Sequence, residues 1–235
     1  QHMLFLRTAF TQQYIVNNLR AQHFAQPMGS AMHDLCMKHC IDLHQTHIPE
    51  GVDFGYFEYM GLGTVVDSLS ASLGQGLLLY LAVQKKREGL SAEDLVQWVE
   101  ENKLHIDHWF TVDDLNFLKM GGRVSATTAF LGTMLSIKPV MHTSDEGKLV
   151  PVSKARGRKA SLQALIDKVA ELGIEPSEQV MFICHADCEK ESRAVAEELK
   201  ARYGVKEVYI NYIGPVIGSH TGPNTMGLFF VGTKR

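Results

Sequence analysis

Apolar positions change their period along the chain. Thr64-Val65-Val66-Asp67 is a β-branched run that stops at a polar corner, and residues 68–72 read as a serine-rich turn. A helix is predicted through residues 77–83 and ends at Glu88-Gly89, where glycine suits the left-handed conformation that closes helices. Ser91 is placed to cap a second helix, with Asp94 at the position that reaches back. Leu95, Trp98, Val99 and Ile106 fall at helical spacing and predict one apolar stripe. A short helix over 113–119 should end at Gly121-Gly122, and another should run from 125 to about 136.

Beyond residue 136 the period shortens. Residues 137–142 and 148–155 predict two strands joined by the hairpin signal Asp145-Glu146-Gly147. Leu162, Leu165, Ile166, Val169 and Leu172 share one face of a helix over 158–172. Residues 180–184 are a continuous apolar run, the pattern of a strand covered on both faces. A helix over 189–203, a strand over 205–213, a glycine-rich turn over 214–223 and a last strand over 226–231 complete the pattern. Strands alternating with amphipathic helices predict an α/β fold, and the hairpin makes its sheet mixed. Residues 1–60 show short apolar runs at 3–6 and 14–16 and a helical pattern over 31–43.

Composition adds one boundary. The chain has 235 residues and a formal charge of −3, so no basic field for nucleic acid covers it. No run of 18 apolar residues suggests a membrane span, and four cysteines do not make a disulfide scaffold. No signal-peptide pattern opens the sequence, so a reduced cytoplasmic setting is expected. Residues 1–50 nevertheless carry six of the 11 histidines and few of the charged residues, unlike residues 51–235.

Five groups of residues are candidates for chemistry. Lys119-Met120-Gly121-Gly122-Arg123-Val124-Ser125 places an arginine fork beside a predicted helix start, an arrangement suited to a carboxylate or phosphate; a plain helix corner fits the same pattern. Ile217-Gly218-Ser219-His220-Thr221-Gly222-Pro223-Asn224 comes after a predicted strand and offers an imidazole and a hydroxyl, with Pro223 suited to a first helical turn; a tight turn is the alternative. Lys154, Arg156, Arg158 and Lys159 form a basic cluster ahead of a helix, either a docking patch or a solvated helix start. Cys36 and Cys40, with His33, His39, His44 and His47 nearby, give a zinc reading, although their spacing is not that of a standard structural site. At the end of the predicted buried strand, His185 and Asp187 are an acid/base pair, or Asp187 caps the following helix, which is the favoured reading. Cys184 and Cys188 read as a buried thiol and a helix-start residue. There is no P-loop, GxSxG or HExxH, and Gly74-Gln75-Gly76 lacks the rest of a dinucleotide fingerprint.

Taken in order, residues 66–76, 119–125, Ser136-Ile137-Lys138-Pro139, Arg156-Gly157-Arg158-Lys159-Ala160, His185-Ala186-Asp187 and 214–223 resemble the DegV family of bacterial fatty-acid-binding proteins. The resemblance covers residues 64–235, and residues 1–60 carry none of the family's opening elements. It implies a two-lobed α/β architecture: a Rossmann-like parallel-sheet lobe over 1–110, and a second lobe with a mixed sheet and flanking helices over 111–235. It implies one long-chain fatty acid as ligand, no cofactor and no catalysis by the chain itself. The carboxylate would be presented to a separate fatty acid kinase for acyl-phosphate formation. Gly122, Arg123, Ser125, His220 and Thr221 would hold the carboxylate. Phe130, Leu131, Met134, Leu135 and Phe229 would line the acyl tunnel, and Lys154, Arg156 and Arg158 would dock the kinase. Contact with a membrane surface would be transient. The competing expectations are an enzyme that uses Arg123 and His220 on a small carboxylated or phosphorylated ligand, and a zinc-binding regulatory module at the front.

Overall fold

The protein is described from a computed structural model, which describes residues 3–8, 63–124, 137–233 and 235. Among these, the strands are β1 (Met3–Thr8), β2 (Gly63–Ser70), β3 (Ile106–Thr111), β4 (Ile137–Thr143), β5 (Leu149–Arg156), β6 (Val180–His185), β7 (Glu207–Tyr212) and β8 (Met226–Val231). The helices are α1 (Ser72–Arg87), α2 (Ala92–Asn102), α3 (Leu115–Met120), α4 (Arg158–Leu172), α5 (Glu189–Tyr203) and α6 (Pro215–Thr221). The helix expected over 125–136 and the pattern over 31–43 lie outside the described residues.

The chain groups into two compact units. The first takes Gln1–Ala71 and Gln75–Lys103; the second takes Ser72–Gly74 and Leu104–Arg235. In the first, β1 and β2 pair in parallel from Met3 opposite Gly63 to Arg7 opposite Asp67, with a register shift before Thr8. Helix α2 packs against both strands. Its start is the expected cap: the Ser91 hydroxyl oxygen accepts from the Asp94 N–H at 3.1 Å and the Ser91 hydroxyl donates to the Asp94 carboxylate at 2.8 Å. Leu95 and Val99, one helical turn apart, are buried.

The second unit is built on a six-stranded mixed sheet of order β5-β4-β3-β8-β6-β7. Only β6 and β7 pair in parallel; the other neighbours are antiparallel. One face carries Trp109, Val140, Met181, Ile183, Leu228 and Phe230, packed with Leu165, Ile166 and Val169 of α4 and Val195 and Leu199 of α5. A second cluster joins Phe110, Met141 and Val112 to Leu118 of α3. Alternation along each strand sends successive side chains to opposite faces, so Trp109 and Phe110 belong to different clusters.

The structure corrects several local expectations. Ile106 does not extend the α2 stripe; it opens β3, a central strand that the apolar pattern does not reveal. The serine-rich stretch stays extended through Ser70, and α1 begins at Ser72. The glycine-rich turn over 214–223 contains the helix α6, and Pro215 rather than Pro223 occupies its first turn. Asp187 does not cap α5. It is exposed at φ 60°, Cys188 is the N-cap, and no side chain caps that end. The hairpin, α4, α5 and β8 form where the pattern puts them.

Candidate functional site

The two motifs centred on Arg123 and His220 meet in the second unit. Helix α3 starts at Asp114, whose carboxylate accepts from the Asn116 N–H at 2.8 Å. It stops at Gly121, with Gly122 next at φ 70°. This tight exit turns Arg123 back, so its guanidinium donates to the Gly121 carbonyl. Helix α6 brings His220 to the same place. A Cβ at Gly121 would overlap the His220 ring, so glycine is what lets the imidazole approach the α3 exit.

Arg123 and His220 are close enough to sense each other. Burial and then the Arg123 charge hold the His220 imidazole below its ordinary value, which favours the neutral ring. A neutral imidazole beside a fixed guanidinium supplies donors of two kinds to an incoming carboxylate. Thr221 is buried, and its hydroxyl donates to the Ile217 carbonyl at 3.1 Å within its own helix. It is therefore not the uncommitted donor that the sequence suggests. Ser125, Phe130, Leu131, Met134 and Leu135 lie outside the described residues.

Phe229 is buried on the sheet face opposite α4 and α5, edge-on to His108 with ring centroids 5.4 Å apart. Nothing in the sequence singles out His108, because a histidine inside an unrecognised strand gives no pattern. It is 2% exposed, and neither ring nitrogen has a hydrogen-bond partner among the described residues. Burial and then the Arg235 charge keep it neutral. Cys184 is buried as well, and burial pushes its thiol up to about 11, with the Ser72 side chain pulling the other way.

The basic cluster divides. Lys154 and Arg156 are exposed on β5, an edge strand. Arg158 is instead engaged: its Nε and Nη2 donate to one Glu191 oxygen at 2.9 and 2.8 Å, and Nη2 also approaches Cys188 Sγ at 3.4 Å. His185 is buried under Tyr212, with ring centroids 4.4 Å apart, and faces Glu189 rather than Arg123. No group of three His, Cys, Asp or Glu among the described residues is arranged to hold a metal ion, and the zinc candidates at 33–47 lie outside them. No described helix is long and apolar enough to cross a membrane.

Two residues, one at a predicted helix start and one at the end of a glycine-rich motif, tie the halves of the site together. The Asn224 amide donates to Asp113 Oδ2 at 2.9 Å, and Lys138 Nζ lies 2.9 Å from Asp113 Oδ1. Burial works to raise the Asp113 carboxyl, but the Lys138 and Asn224 hydrogen bonds and the Lys138 charge outweigh it and hold it below its ordinary value.

Known proteins resemble this chain in sequence and in fold. A DegV domain-containing protein of Clostridium perfringens is 48% identical over 171 residues, 73% of this chain and 59% of that protein, so the chain spans about three fifths of that relative. A DegV lipid-binding protein of Thermotoga maritima shares 31% identity at a TM-score of 0.65, covering 74% of this chain and 60% of that one. A DegV family protein of Ruminococcus gnavus solved with vaccenic acid shares 27% at 0.67, covering 74% and 63%. The fatty acid kinase B3 protein of Streptococcus pneumoniae, solved with linoleic acid, has the same fold at 20% identity and a TM-score of 0.69, covering 97% and 77%. A 71-residue stretch, 30% of this chain, is 84% identical to isethionate sulfite-lyase of Desulfovibrio desulfuricans, of which it makes up 8%. The model of the uncharacterised DegV protein family matches residues 59–233, leaving the histidine-rich front outside it. The chain belongs to the DegV family.

Proposed function

We propose that the chain binds one long-chain fatty acid and offers its carboxylate to a separate fatty acid kinase. The observation that carries this reading is the convergence of His220 and Arg123 on Gly121. Carboxylates taken out of water need such partners, because an unpaired buried charge is strongly unfavourable. Arg123 supplies the charge and His220 a hydrogen bond, with Gly122 and the Ser125 hydroxyl completing the polar end. Thr221 contributes by fixing α6 through its bond to Ile217. The acyl tail lies against Phe229 and the apolar residues Phe130, Leu131, Met134 and Leu135, at about 0.8 kcal/mol per buried CH₂.

The vaccenic acid in the Ruminococcus gnavus relative supports the ligand class. The kinase step draws support from the fold shared with the Streptococcus pneumoniae kinase B3 protein. In this reading Lys154 and Arg156 meet an acidic kinase surface, while Arg158 holds the start of α4 through Glu191. The chain works in the cytoplasm without a cofactor, transfers nothing by itself, meets no nucleic acid and touches a membrane surface only to collect its ligand. The lyase likeness, at 8% of that enzyme, is too short a piece to carry an enzyme's chemistry.

Native mass spectrometry of the gently purified protein should show one bound acyl chain. Organic extraction without any fatty acid, together with no uptake of added oleate or palmitate, would sink the reading. Turnover of a small carboxylated substrate by the isolated chain would replace it with the enzyme reading.

A further inference from the structure

Segments 113–121 and 220–224 meet at three regularly spaced points. Asp113 receives the Asn224 amide at 2.9 Å. Four residues on, the Phe117 ring fills the space that a side chain at Gly222 would need. After another four, the His220 ring does the same at Gly121. Positions 113, just ahead of the Asp114 cap, 117, within α3, and 121, at its exit, meet positions 224, 222 and 220 in reverse order. Helices α3 and α6 are packed together along this line.

Each rung is fixed from behind. Asn224 sits at φ 59°, a left-handed position that asparagine tolerates better than most residues, and its N–H donates to the Ala186 carbonyl at 2.7 Å. The Thr225 hydroxyl closes the turn on the Thr221 and Gly222 carbonyls, at 3.0 and 2.8 Å. Lys138, at the start of β4, holds Asp113 through its carboxylate and, at 3.4 Å, through its backbone carbonyl. Asp113 and Asn224 are thus anchored to different strands, and the bond between them spans the two segments that carry Arg123 and His220.

We propose that the Asp113–Asn224 pair is a latch that sets the separation of His220 from Arg123, making both members positioning residues of the candidate carboxylate site. Neither touches the site itself. Releasing the far rung lets α6 swing about the Phe117–Gly222 contact, and His220 leaves the α3 exit. The ligand-binding arm of the test rests on the fatty-acid reading; the titration arm does not.

Asn224→Gly keeps the left-handed backbone open and deletes only the amide. In the folded variant, NMR titration should find the His220 imidazole moved up toward its ordinary value, because it loses both burial and the Arg123 charge. The His220–Gly121 proximity signal should fade. Oleate should bind roughly three- to tenfold more weakly, the cost of about one hydrogen bond. Exchanging donor and acceptor in Asp113→Asn/Asn224→Asp should restore the titration and the affinity together. If the glycine variant does not fold, Asn224→Asp alone, which sets two carboxylates against each other, is read by the same criteria. A His220 titration and Gly121 contact unchanged in a folded single variant would overturn the latch. A moved titration in a protein that never binds oleate would uphold the latch and refute only the ligand.

Discussion

The His220 imidazole rests on the α-carbon of Gly121, in the space that a side chain there would fill. Gly121→Ala should therefore displace the ring or spread α3 from α6. Overpacking of this kind typically costs about 1–3 kcal/mol. Chemical denaturation should show that loss, and the His220 titration should shift toward the ordinary imidazole range as the ring moves away from Arg123. An alanine variant with wild-type stability and wild-type titration would show that the contact is loose.

That relationship is half visible in the sequence. Gly121, Arg123 and His220 stand in motifs whose residue types advertise anion binding, so they can be selected before any fold is known. Their meeting cannot, because nearly a hundred residues separate them and only the sheet order brings β3 beside β8. Helices α4 and α5 are legible because their apolar residues repeat at the helical period over fifteen residues each. Strand β3 is not. Its sequence Ile-Asp-His-Trp-Phe-Thr is buried throughout, yet two of its first three residues are polar, so it matches neither an alternating nor an apolar strand. Asp113 reads as a helix start and Asn224 as part of a glycine-rich motif, so their local roles mask the long-range bond. The family match starts at residue 59, close to where the charge-poor front gives way to ordinary composition.

The same strand buries His108. A buried imidazole whose ring nitrogens have no hydrogen-bond partner among the described residues weakens the fold, because desolvation of each polar atom goes uncompensated. His108→Leu should hold or raise the melting temperature, unlike a large-to-small change at neighbouring Phe229, which should lower it. A clear loss of stability in His108→Leu would show that the ring nitrogens are paired and that the imidazole supports the fold.

Cys184 should be inert in the native protein. Its thiol is buried, and that burial pushes it up to about 11, while thiol reagents attack the thiolate. Peptide mapping after brief treatment with iodoacetamide at pH 8 should find Cys184 unmodified, and full modification should appear after denaturation. Rapid native labelling would show that the sheet around Cys184 opens to solvent.

The Ser91 cap offers a local calibration. Ser91→Ala removes both the acceptor for the Asp94 N–H and the hydroxyl donor to the Asp94 carboxylate at the start of α2, where the side chains are exposed. The expected loss is about 1 kcal/mol. Ser91→Asp should retain most of the stability, because a carboxylate accepts the same bond and favours the positive end of the helix.

Asp107 makes the stability of the second unit depend on pH. One carboxylate oxygen accepts from the Trp109 indole at 2.9 Å; the other has no partner among the described residues and is packed against Gly232. Burial pushes this carboxyl up to about 7, although the Trp109 bond and the charges of Arg235, His105 and Lys168 pull the other way. The folded chain therefore keeps a proton that the unfolded chain releases near pH 3.8. This contribution to stability is complete below that pH, falls as pH rises toward 7, and is absent above it. Asp107→Asn leaves a neutral, nearly isosteric group with an oxygen for Trp109. Relative to the parent, the variant should gain stability from pH 4 to pH 8, by an amount on the order of 4 kcal/mol at most. Denaturation curves for both proteins at pH 4, 6 and 8 measure the difference directly. A stability gap that stays constant across that range, or that closes as pH rises, would place the Asp107 titration elsewhere.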